Sequence, residues 1–136
     1  MSKKDFLTFT VGFMSLLVLT SCQSAKTSYE VKITKNQQLI KSYTIQDIQK
    51  MPTKSFMEDG KIESGPTLSY LLIDAGITEY SNITIKNEVG ENYKTKTPEG
   101  YILDITNRGS VKLASENLSK DQWLKDITEI AIETKP

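Results

Sequence analysis

An α+β domain, with a mixed, barrel-like β-sheet and two or three short helices, is the fold class this sequence predicts. Three observations carry it. Short segments alternate apolar and polar residues with period two and are divided by turns rich in Gly, Asn and Asp. Two other segments, 44–51 and 67–75, space their apolar residues three and four apart and begin with capping residues. Beyond residue 28 about 100 residues remain, which is enough for one core without disulfides or metal.

Tyr29 to Thr34 alternates as a strand, and Lys35-Asn36 can turn it into Gln38 to Tyr43, so a hairpin is expected. Thr44 can N-cap a short helix, with Asp47 at capping-box spacing and Ile45, Ile48 and Met51 on one face. Pro52 ends it. Phe56 and Met57 begin a strand, Asp59-Gly60 turns, and Lys61 to Glu63 returns. Thr67 caps a second helix in which Leu68, Leu71, Leu72 and Ala75 form the buried stripe, and Gly76 supplies the left-handed C-cap. Strands are expected at Asn82 to Val89, Tyr93 to Thr97, Tyr101 to Thr106 and Val111 to Ser115. The turns between them fall at Gly90-Glu91-Asn92, Pro98-Glu99-Gly100 and Asn107-Arg108-Gly109. Ser119 caps a single helical turn around Trp123. A last strand runs from Ile127 to Ile132, with Ile127, Glu129 and Ala131 on one face.

Ahead of this domain, Lys3 and Lys4 precede a stretch from Phe6 to Ser21 that carries no charge. It is shorter than the ~20 residues a membrane-spanning helix needs. Its length and flanks fit a secretory signal. Leu19-Thr20-Ser21-Cys22 resembles the lipobox of bacterial lipoproteins, in which the cysteine thiol is acylated before cleavage. The expected organisation is therefore a lipoprotein signal peptide over 1–21, an acylated Cys22 with a polar tether to residue 28, and a domain over 29–136. Such a chain would be extracytoplasmic and lipid-anchored to the cell membrane.

Composition removes several function classes. The chain has no His and a single Cys, so the usual general base, the usual metal ligand and a free thiol nucleophile are all missing after acylation of Cys22. No catalytic residue and no metal site are expected. Glu58, Asp59 and Glu63 lack EF-hand spacing and read as a solvated acidic turn. There is no Gly-x-Gly and no Ser-x-x-Lys. Basic and acidic residues balance at 17 each, with no basic cluster, which argues against a nucleic-acid partner.

Four phrases in order resemble the sulfite-oxidase-type molybdopterin-binding domain: Thr44 to Pro52, Gly65 to Gly76, Gly109 to Leu113, and Trp123 to Ile130. Together they cover nearly all of the expected domain. The resemblance implies that family's fold and, at most, a molybdopterin cofactor. This chain departs from the family where the chemistry lies, because it has no cysteine outside the anchor to ligate molybdenum. Arg108 is its only arginine and falls in a turn, and Lys112 stands where the family often carries arginine. A lysine there is a point charge and does not grip a phosphate bidentately.

The candidate ligand-binding residues are Arg108, Lys112, Thr67 and Tyr70. Arg108 can meet an anion or remain a solvated hairpin tip. Thr67 and Tyr70 sit at the start of the second helix, where backbone amides are free. Trp123 reads as a core cap. Three functions are compatible with these residues. The leading one is a non-catalytic module binding a small ligand or an envelope protein. The second is an oxidoreductase subunit holding molybdopterin or another redox cofactor without a protein thiolate. The third is a β-grasp-like lipoprotein capturing a small ligand, which shares the Gly-x-Thr-Leu-x-x-Leu-Leu-x-x-Ala-Gly pattern of residues 65–76.

Overall fold

The computed structural model of the chain describes residues 28–135. The expected signal peptide, Cys22 and the tether up to residue 27 lie outside the described residues. Among the described residues no helix is long and apolar enough to cross a membrane.

Strand β1 (Glu30–Lys35) buries Val31 and Ile33, and pairs antiparallel with β2 (Gln38–Thr44). The turn sits one residue later than expected: Asn36 and Gln37 both take left-handed conformations, φ 49° and 70°, as a tight two-residue hairpin requires. Helix α1 (Ile45–Gln49) has the expected capping box, in which the Asp47 N–H donates to Thr44 Oγ1 at 3.1 Å and the Thr44 N–H donates to Asp47 Oδ2 at 2.9 Å. A second hairpin, β3 (Lys54–Glu58) and β4 (Lys61–Gly65), closes through Asp59-Gly60. Helix α2 (Leu68–Asp74) is capped by Thr67, whose hydroxyl accepts the Tyr70 N–H at 3.0 Å, and buries Leu68, Leu71 and Leu72. Then follow β5 (Asn82–Asn87), β6 (Asn92–Thr95), β7 (Ile102–Ile105), β8 (Val111–Ala114), a 3-10 turn (Lys120–Gln122) and β9 (Ile127–Glu133).

Five strands form the main sheet in the order β2-β1-β9-β5-β6. The first and last strands, β1 and β9, run parallel at its centre, and every other pairing is antiparallel. The β3–β4 and β7–β8 hairpins make two further two-stranded sheets. Leu68, Leu71 and Leu72 of α2 join Val31, Ile33, Ile83, Ile85, Ile130 and Ile132 in one core. The last strand departs from simple alternation. A register shift opposite Lys86 and Asn87 lets Ile127 point inward together with Ile130 and Ile132.

The expected α+β, barrel-like fold is corrected here: the described residues are mostly β, 46% strand against 14% helix, with one helix of seven residues or more and no closed barrel. The helices are short for local reasons, since α1 stops ahead of Pro52 and α2 ends at Gly76, with φ +77°. The main sheet stays open at β6, which has only four residues, and β7 and β8 pair with each other rather than with it.

Candidate functional site

The β3–β4 hairpin is built inside out. Met57 and Ile62 face each other across the strands and are 67% and 65% exposed, whereas Glu63, paired with Phe56 on the other face, is only 1% exposed. Alternation fixes this choice, because turning Ile62 inward would turn Glu63 outward. The inner face is set by Phe56, whose ring meets Trp123 edge-on at 5.9 Å, and by Gly65. A Cβ on Gly65 would lie 2.0 Å from the Leu103 carbonyl oxygen, so glycine alone allows β4 to approach β7 this closely.

That approach brings three charged side chains together. Asp104 on β7 and Lys112 on β8 are direct cross-strand partners, and Glu63 arrives from β4. Lys112 Nζ lies 2.8 Å from Glu63 Oε2 and 3.8 Å from Asp104 Oδ2. The same ammonium sits 5.4 Å over the Trp123 ring, whose Nε1 donates to the Ser115 carbonyl at 3.0 Å. One cation thus serves two carboxylates out of water. Burial, and then the hydrogen bond to Glu63, push the Asp104 carboxyl up to about 6, against the opposing pull of Lys112. For Glu63 burial acts upward, but the hydrogen bond with Asp104 and the contact with Lys112 together outweigh it and hold the pKa below the usual value. When the pair holds one proton, Asp104 is therefore the carboxyl that carries it. Glu63 Oε1 is buried and has no hydrogen-bond partner, and a protonated Asp104 can donate to the Glu63 carboxylate.

The four residues singled out from the sequence are not brought together. Lys112 belongs to this cluster, but its ammonium is committed to carboxylates. Thr67 pairs with Ile102 at one end of the β7–β8 hairpin, and its hydroxyl is used as a helix cap. Arg108 lies in the turn at the other end, largely exposed, with a 3.4 Å contact to Asp126. The Tyr70 side chain is on the surface of α2. Glu63 overturns the solvated-turn expectation, and neither it nor Asp104 stands out in the sequence. The one available signal is the unbroken pattern Lys-Ile-Glu at 61–63, which fixes that Ile62 and Glu63 face opposite ways but not which way is in.

A pterin does not fit these residues. The cleft beside Phe56, Thr67 and Tyr101 has room for about 20 Å³, roughly one water, where an enclosed ligand of that size takes ~300 Å³ or more. The cations that would grip its phosphate are separated and paired. Larger depressions are open to solvent. One, of about 500 Å³, is lined by Tyr80, Lys96 and Lys135, and another, of about 580 Å³, by Tyr29, Glu30 and Glu129.

No protein-family model matches the chain, and no curated protein matches it significantly.

Proposed function

We propose that the chain is a non-catalytic binding module, lipid-anchored through Cys22 on the outer side of the cell membrane, that docks an envelope protein on the outer face of the β3–β4 hairpin. The observation that carries this reading is the inversion of that hairpin. An apolar cross-strand pair faces water while a carboxylate is buried, against the burial cost of each. Departures from binary patterning concentrate where a surface has a second duty. Met57 and Ile62 are flanked on the same face by Ser55 and Ser64, whose hydroxyls bond each other at 3.0 Å. An apolar centre with a polar rim suits a protein surface. The small cleft at Thr67 favours a protein over an enclosed small molecule.

A photo-crosslinking residue at position 57, introduced in cells, is expected to give one discrete adduct that Ile62→Asp abolishes while leaving the melting temperature within a few degrees. An adduct indifferent to Ile62→Asp would end the docking reading. Cys22→Ala is expected to release the chain from the membrane fraction. Retention of that variant would count against the anchor.

A second reading, small-ligand capture by a β-grasp-like scaffold, draws support from the sheet order. A leading hairpin, a crossing helix and a last strand parallel to the first at the centre suit that scaffold. Its test is a thermal-shift screen of small anionic and aromatic compounds against wild-type and Tyr80→Ala protein. A shift lost in Tyr80→Ala would place the ligand in the open depression at Tyr80 and Lys96.

A further inference from the structure

We propose that Glu63, Asp104 and Lys112 form a proton-operated clasp that holds the β3–β4 hairpin on the β7–β8 hairpin in mildly acid surroundings and slackens as the medium becomes neutral. This rests on the docking reading of the hairpin and adds its regulation.

Geometry and charge count carry the idea. The two hairpins are separate sheets. They meet along a short seam, made of the Gly65–Leu103 approach, the Phe56–Trp123 edge contact and the three charged groups, while the chain just past β4 is tied to β7 by the Thr67–Ile102 bridge and by the Leu103 N–H donating to the Pro66 carbonyl at 2.9 Å. Two carboxylates and one ammonium meet here, so one negative charge is left over whenever both acids are ionised. With a proton on Asp104 the set is neutral, and the carboxyl O–H donates to the Glu63 carboxylate. Loss of that proton removes the donor and leaves like charges side by side with a single counterion. The groups facing Asp104 are Glu63 and the Ser64 N–H on β4 and Lys112 on β8. Lys61 adds positive charge to Glu63 along β4. Trp123 contributes its aromatic face, under the Lys112 ammonium. Burial and Glu63 together push the Asp104 carboxyl up to about 6.

The sole tryptophan lies within the seam, so the protein carries its own reporter. On the full chain in detergent, hydrogen exchange of β3–β4 amides, corrected for the chemical rate, is compared at pH 5 and pH 8. Trp123 emission is followed alongside. The clasp requires on the order of tenfold faster hairpin exchange at pH 8, with β1, β5 and β9 unchanged, and a Trp123 transition near pH 6. Asp104→Asn, which keeps a donor toward Glu63 and cannot ionise, is expected to hold the slow exchange at both pH values. Flat wild-type exchange, or an Asp104→Asn transition like that of wild type, overturns the proposal. If Asp104→Asn does not fold, the carboxyl ¹³C shift of Asp104 in wild type decides: an inflection near pH 6 matching the hairpin transition supports the clasp, and one near pH 4 rejects it. None of these readouts involves a partner, so loss of crosslinking at position 57 would sink the docking reading and leave the clasp standing.

Discussion

At the residue scale, what decides the behaviour of Lys112 is its company. Its side chain is 15% exposed and its ammonium faces the carboxylate of a Glu63 side chain that is 1% exposed, so deleting it leaves a buried charge without a counterion. Lys112→Met is therefore expected to destabilise the fold by roughly 3–5 kcal/mol in denaturant titrations at pH 7. The exposed Arg108 pair is expected to contribute at most ~1 kcal/mol. Combining Lys112→Leu with Glu63→Leu removes both charges, and a large part of the loss should return. A double variant as unstable as the sum of its single variants would mean that packing, rather than charge, ties this seam. The sequence points to Lys112 and misses its partners for a physical reason. A lysine in a strand is conspicuous only as a charge, whereas its pairing with Glu63 depends on which face of a distant hairpin turns inward. The N-caps are different. Thr44 and Thr67 each accept from the amide three residues on, and both caps form as their spacing implies.

Elements whose signals are local were legible, and those that depend on another element were not. Among the described residues, both helices and all nine strands lie within a residue or two of where alternation and turn residues put them. The first turn slips by one residue because Gln37, rather than glycine, takes φ 70°. A side chain held there costs ~1 kcal/mol, so Gln37→Gly is expected to raise stability by about that amount, read as a higher urea midpoint at unchanged slope. No change in midpoint would mean that the hairpin has another source of strain relief. Gly65 is the opposite case. Its φ is unremarkable and the sequence gives no hint of its role, yet a Cβ would run into the backbone of β7. Gly65→Ala is expected to cost ~3 kcal/mol and to weaken the contact between the hairpins, with Trp123 emission shifting red as Phe56 withdraws. An emission maximum unchanged in a stable Gly65→Ala protein would mean that the two strands have room to separate without loss.

For the whole molecule, the parallel pairing of β1 with β9 was beyond reach of the sequence, because nothing local in either strand records a partner from the other end of the chain. Both are apolar on their core face, which fits a central position, but neighbour and direction are settled only when the sheet assembles. The pH dependence of stability is a property of the same assembly, and its sign follows from three groups. Asp104 has its pKa raised from 3.8 to about 6 in the fold, through burial and Glu63. Between those values the folded state holds a proton that the unfolded chain has released, so its stabilising share is complete below 3.8 and is lost as pH rises through 6. Glu63 is lowered by Asp104 and Lys112 against its burial, and Asp74 by the hydroxyl of Tyr43 and by Lys41. Their contributions are present at higher pH and fall away as acid protonates them below their ordinary values near 4. The two trends meet between about pH 4 and 5. Urea unfolding across pH 3 to 8 is expected to find maximum stability there, with a decline on the order of 1–3 kcal/mol by pH 7 that Asp104→Asn largely removes. A maximum at pH 7 in the wild type would mean that Asp104 ionises freely within the seam, and that Lys112 alone is enough to hold two carboxylates together.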